Sequence, residues 1–204
     1  GDADGRACFR VAGWIPRATA NNGLVPEPGW LNSGAQPSER LADQEMPQIV
    51  DAKAKGLPFI ANANQQLAGE LGEHLSGEWD RPNRYQRITT MLLAESKHDR
   101  QSFQRIQYDV RSEEALRLIP ALLRARPAGA LANSAIRELA AFDGEMRADR
   151  VAPLVYTVWM DEFTRLVLGR RVGPAHLGVL YGRRSFRSAV EKILLEPDVG
   201  AKWC

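Results

Sequence analysis

Asn62 and Asn64, carboxamides two positions apart in Ile60-Ala-Asn-Ala-Asn64, are the residues whose type and spacing most directly suggest chemistry. On an extended segment, positions i and i+2 lie on one face, so both amides offer N–H donors to the same side. Donors fixed in that way can meet a negative charge developing on a reacting oxygen, which is what an oxyanion hole requires. The same pair can instead close a loop, each side-chain oxygen taking a backbone N–H two residues on, and an arbitrary Asn-x-Asn more often does this. Other candidates are sparse. His74, His98 and His176 are isolated in sequence. His98 beside Asp99 reads as a solvated pair, because adjacent residues on a helix point to different sides, and His176 reads as a loop residue. Cys8 falls in an expected strand with an apolar face, where a thiol packs rather than reacts. The sequence contains no His-Glu-x-x-His, Cys-x-x-Cys, Gly-x-x-x-x-Gly-Lys or Gly-x-Ser-x-Gly and no acidic twelve-residue calcium loop.

Composition narrows the partners. With 204 residues, 44% of them hydrophobic and 25% charged, the chain falls in the globular range and can bury a sizeable core. The formal charge of +2 is too balanced to call for a polyanion, although 22 of the 27 basic residues are Arg. Those arginines are scattered from Arg6 to Arg187. Their one cluster, Arg170-Arg171 with Arg183, Arg184 and Arg187, has only Tyr181 and Phe186 near it as stacking platforms. No nucleic-acid partner is therefore expected. No run approaches the roughly 18 apolar residues of a membrane span, and Gly1 to Arg10 carry no signal-type apolar segment, so no membrane partner is expected either. Cys8 and Cys204 are too few for a disulfide framework and leave one bridge open.

The elements that must position the asparagines divide near residue 80, giving a strand-and-loop segment over 1–80 and a helical part over 81–204. After the Asp4-Gly5 turn, Ala7, Phe9 and Val11 alternate with Cys8, Arg10 and Ala12, the period of a strand. Residues 16–56 are punctuated by Pro16, Asn21-Asn22-Gly23, Pro26, Pro28-Gly29 and Pro47, which predicts a long loop. Phe59-Ile60-Ala61 predicts a short buried strand leading into the two asparagines. From Asn83, placed as a cap, Ile88, Met91, Leu92 and Glu95 follow helical spacing. Further helices are expected from Asp99, from Ser112 with Glu113 and Glu114 in its first turn and Pro120 as a kink, and from Asn133 as a cap up to Asp143-Gly144. The last two are expected from Asp149 to Gly169 and from Ser185 to Pro197.

Taken in order, these motifs resemble the penicillin acylase type of N-terminal-nucleophile amidohydrolases, which includes cephalosporin and acyl-homoserine-lactone acylases. Asp2-Ala-Asp-Gly5 with Phe9 and Gly13 resembles the family's Asp-x-x-Gly turn and strand, and Val25-Pro-Glu-Pro-Gly-Trp30 resembles its Pro-x-Pro-Gly loop. Phe59-Ile-Ala-Asn-Ala-Asn64 resembles the segment carrying the oxyanion-hole asparagine, with Asn64 at the matching position. Arg84-Tyr-Gln-Arg-Ile88 resembles the start of the helix whose first Arg supports it. The similarity continues more weakly through Leu118 to Leu122, Phe142 to Met146 and Val155 to Trp159.

The resemblance implies an α+β, mostly helical fold, with a few N-terminal strands of an αββα sheet followed by the helical part. It implies hydrolysis of a linear amide in a small acylated amine, of the β-lactam antibiotic or N-acyl homoserine lactone class. An N-terminal Ser absent from this chain would attack, with its own α-amine as base. Asn64 would donate to the oxyanion and Arg84 would position Asn64. Glu73 matches the place of an acidic ligand to a structural calcium, and no catalytic cofactor is implied. The partners would be the remainder of the β-chain and an α-chain, the setting periplasmic or otherwise extracytoplasmic, and this chain alone inactive. The alternative is a non-catalytic helical interaction module whose apolar faces dock on a partner chain.

Overall fold

The computed structural model describes residues 2–11, 30, 48–49, 52, 56, 58–67, 72, 75–76, 79–181 and 183–203. They fall into two compact units, Gly1–Ala94 and Glu95–Cys204. Helices dominate among the described residues.

The first unit opens on the Asp2-to-Gly5 turn. The Asp2 carboxylate accepts the backbone N–H groups of Asp4 at 3.1 Å and Arg6 at 2.8 Å, and Gly5 supplies a φ of +78° that a side chain would resist. The chain then enters β1 (Phe9–Arg10), paired antiparallel with β2 (Gln48–Ile49) in the register Phe9 with Ile49 and Arg10 with Gln48. The alternation expected here is visible in exposure: Ala7 and Phe9 are half-buried, while Cys8 and Arg10 face solvent. Cys8 is thus a free, exposed thiol rather than packing. Cys204 lies outside the described residues, as do most of the Pro-rich loop and the Val25-to-Gly29 motif. Helix α1 (Asn83–Leu93) closes the unit. Pro82, not Asn83, is its N-cap residue, with the Pro82 carbonyl taking the Gln86 N–H at 2.8 Å.

The strand expected at Phe59-Ile60-Ala61 is not formed. These residues are half-buried and irregular, and the nearest pairing is an isolated parallel bridge between Gln65 and Asp80. An apolar run becomes a strand only when a neighbouring strand takes up its N–H and C=O groups.

In the second unit, α2 (Arg100–Gln107) starts where expected. Asp99 caps it by accepting the Ser102 N–H at 2.7 Å, and Ser102 Oγ returns the bond by accepting the Asp99 N–H at 2.9 Å. Helix α3 (Glu113–Leu122) is capped by Ser112, whose Oγ accepts the Ala115 N–H at 3.1 Å. Helix α4 (Ala130–Ala140) begins one turn before the expected Asn133, at Gly129, whose φ of +92° turns the chain. Asn133 instead lies inside the helix and donates its side-chain N–H to the Gly129 carbonyl at 2.8 Å. It is followed by α5 (Val151–Val167), α6 (Gly169–Val172), α7 (Pro174–Tyr181), α8 (Arg184–Leu195) and α9 (Pro197–Trp203). His176 therefore lies on α7 and not in a loop, with Nδ1 2.9 Å from the Val172 carbonyl.

Two apolar clusters hold this unit. One gathers Ala115, Leu118, Ile119 and Leu122 of α3 with Leu139, Phe142, Ala152 and Tyr156, and the other gathers Leu168, Leu177, Phe186, Val190 and Ile193. Met160 packs against both. No described helix is long and apolar enough to cross a membrane.

Candidate functional site

Asn64 is the one non-glycine residue with positive φ among the described residues, at +63°. Asn tolerates this left-handed conformation better than other side chains, and holding it there costs about 1 kcal/mol, so the surroundings must fix it. They do so from three directions. The Asn62 side-chain oxygen accepts the Asn64 N–H at 2.9 Å, an Asx turn. The Asn64 carbonyl accepts the Asp80 N–H at 3.0 Å. Gln65 folds back so that its Oε1 accepts the N–H of buried Ala63 at 2.7 Å.

The two asparagines consequently do different work. The turn at Asn64 breaks the extended run, so the expectation that both amides share one strand face is not met. The loop-closing alternative describes Asn62, whose oxygen is spent on the Asn64 backbone. The Asn64 side chain is directed instead to Arg84, at the start of α1.

Arg84 Nη2 lies 2.8 Å from Asn64 Oδ1, 2.9 Å from the Ala63 carbonyl and 2.7 Å from Asp80 Oδ2. A guanidinium only donates, so it takes the oxygen end of the carboxamide and leaves the Nδ2 end as a donor. Among the described residues Nδ2 has no hydrogen-bond partner, and Asn64 is exposed. A donor held outward beside a cation is the arrangement that stabilises a developing oxyanion. The Arg84 side chain keeps 61% of its accessible surface and Asp80 keeps 27%, so the cluster is rooted on the Asp80 side and open on the Arg84 side. Residue type brought Asn64 forward and the family resemblance added Arg84, while Asp80 was passed over. Its signal was present, since an acid four residues before Arg84 and just ahead of a helix suits both the i,i+4 pairing and the helix dipole.

Glu73 lies outside the described residues. Among those described, no group of three or more His, Cys, Asp or Glu side chains could hold a metal ion. The described residues thus assemble no calcium cage.

Elsewhere the titratable groups serve local structure. Asp99 is held below the usual carboxylate range first by the Ser102 backbone N–H, and Asp143 first by that of Glu145. His98 Nδ1 is 3.1 Å from Ser102 Oγ and its ring tilts against Phe103, so it is tied to the α2 cap rather than solvated beside Asp99. A cavity of about 200 Å³ in the helical unit is lined by Tyr156, Met160, Phe186 and Val190 with Asp161 and Arg187. Neither Asn64 nor Arg84 lines it, while Arg187, Tyr181 and Phe186 of the Arg-rich cluster do.

Comparison with known proteins adds an independent line. The sequence model of the penicillin amidase family matches residues 1–204. An acyl-homoserine lactone acylase QuiP from Pseudomonas fluorescens is 26% identical, over 93% of this chain and 25% of its own length. QuiP from Pseudomonas aeruginosa is 28% identical over 81% of this chain and 21% of its own length. A penicillin acylase 2 proenzyme from a Pseudomonas species is 30% identical over 83% of this chain and 22% of its own length. The chain spans about a quarter of the length of the curated relatives it matches.

Proposed function

The chain belongs to the penicillin amidase family, and from that premise we propose that it is the part of an amide hydrolase that supplies and holds the oxyanion donor. The reaction is hydrolysis of the linear amide in a small acylated amine. The observation that carries this reading is the Arg84–Asn64 contact, which fixes the oxygen end of the carboxamide and turns its N–H end outward. An N-terminal Ser, freed by autocatalytic cleavage and supplied by another part of the protein, adds its Oγ to the acyl carbonyl while its α-amine accepts the hydroxyl proton. The carbonyl π electrons move onto oxygen, and Asn64 Nδ2 donates to that oxyanion. Collapse breaks the C–N bond, the proton goes to the leaving amine, and water then releases the acid from the acyl-enzyme.

Several parts of the proposal rest on the family rather than on the described geometry. These are the αββα sheet that the first unit would join, an α-chain and remaining β-chain as partners, an extracytoplasmic setting, and a structural calcium with Glu73 among its ligands. The substrate class follows the relatives' names: an N-acyl homoserine lactone or an acylated β-lactam amine. The helical unit is compatible with burial in a larger protein. Val151, Leu154 and Val158 form an exposed apolar row along α5, and Leu131 on α4 is 85% exposed. The same row would serve the alternative, a non-catalytic interaction module.

Product analysis of the complete protein separates the two. With an N-acyl homoserine lactone as substrate, the amide hydrolase releases the fatty acid and free homoserine lactone in equal amounts. Recovery of both that substrate and an acylated β-lactam amine unchanged, or of a product that retains the amide, contradicts the proposal.

A further inference from the structure

We propose that Asp80 is a positioning residue for the oxyanion donor, acting through Arg84; this rests on the hydrolase reading above. Asp80 grips the site twice. Its backbone N–H holds the Asn64 carbonyl at 3.0 Å, which helps to keep the left-handed turn, and its carboxylate takes Arg84 Nη2 at 2.7 Å. Nη2 carries two hydrogens but meets three acceptors within 2.9 Å: Asp80 Oδ2, Asn64 Oδ1 and the Ala63 carbonyl. At least one hydrogen is shared, and the only charged acceptor of the three sets where the guanidinium sits.

Removing that carboxylate leaves an Arg with 61% of its side-chain surface exposed and two neutral oxygens to hold it, both competing with water. Arg84 then swings away for part of the time, and a released carboxamide can turn over. A turned carboxamide presents its oxygen, which repels the oxyanion. Asp80 therefore matters because it decides which end of Asn64 faces the substrate.

The sign of the effect separates this role from simple electrostatics. A carboxylate near a developing oxyanion opposes it by charge alone, so a purely electrostatic Asp80 would make Asp80→Asn faster. The positioning role makes it slower. It also predicts non-additivity, because a carboxylate that orients Asn64 through Arg84 adds little to kcat once Arg84 is gone.

The test is a double-mutant cycle in the complete protein, reading kcat and KM with an N-acyl homoserine lactone. Asp80→Asn is expected to lower kcat about tenfold with KM within about twofold, and to cost less than about twofold when added to Arg84→Ala. Asp80→Glu, which keeps the charge, is expected to recover part of the rate. If Asp80→Asn is too unstable to assay, the Asp80→Glu comparison with and without Arg84→Ala carries the same coupling. Unchanged or raised kcat in Asp80→Asn, or equal losses in both Arg84 backgrounds, overturns the proposal. An Asn64→Ala control keeps the two readings apart. If that control loses activity while Asp80→Asn does not, only the role of Asp80 fails; if Asn64→Ala is fully active, the hydrolase mechanism fails first.

Discussion

The cluster around Asn64 and the helical core around Leu118 are built by opposite means. Leu118 and Leu139 are fully buried in one cluster whose buried members, Tyr156 apart, carry no polar side-chain atom. Such packing needs volume and periodicity, and it tolerates small changes of angle. Around Asn64 the geometry is set by hydrogen bonds from Asn62, Gln65, Asp80 and Arg84, while Asn64 itself stays exposed in a strained conformation. The described buried side-chain atoms that lack a hydrogen-bond partner, Trp79 Nε1 and Thr89 Oγ1, also fall in this first unit. One region converts sequence into stability and the other converts stability into a fixed N–H direction. A strained, exposed carboxamide is a poor way to hold a fold together and a good way to present a donor.

That contrast can be broken first in the core. Leu118→Ala should destabilise the helical unit by about 2–5 kcal/mol, read as a lower denaturant midpoint. A loss under about 1 kcal/mol would mean that the cluster does not carry the unit. A smaller effect is expected at the α3 cap. Ser112→Ala leaves the Ala115 N–H without its partner and should cost about 1 kcal/mol by the same measurement. Smallest is the acid response of the α2 cap. The Asp99 pKa is lowered in the folded state by the Ser102 N–H, so its contribution is present above the ordinary Asp pKa of about 4 and is lost as pH falls through the depressed value. Protection of the Ser102 amide, taken relative to the unfolded chain at the same pH, should therefore hold at pH 5 and fall only below about pH 4. Loss of protection already at pH 5 would show that the cap does not rest on the carboxylate.

Much of the helical unit was legible in the sequence because its signals are local. Asp99 with Ser102, and Ser112 ahead of Glu113 and Glu114, mark helix starts within four residues. Two readings of single residues failed for different reasons. Pro197 is the expected end of the last helix, yet it is the first residue of a further one, where a missing N–H removes nothing. Asn133 looks like a cap, but its amide reaches back one turn to Gly129. Non-local structure was less readable. Phe59-Ile60-Ala61 has strand composition, but whether it pairs depends on a neighbour that its own residues do not specify. At the candidate site, residue type brought Asn64 forward and the family resemblance singled it out and added Arg84. The bond from the Asn64 N–H to Asn62 is local and matches the loop-closing reading of the sequence, whereas the left-handed turn at Asn64 and the part of Asp80 appear only once the chain folds residue 80 back against residue 64.

If the Asn64 N–H, held outward by Arg84, stabilises the oxyanion, its removal must show in the kcat and KM of Asn64→Ala in the complete protein, with denaturation of the same preparation as a check on folding. The expected result is a kcat about 100- to 1,000-fold lower, KM changed by no more than a few fold, and a nearly unchanged unfolding midpoint. A variant that folds and turns over at the parent rate would contradict it.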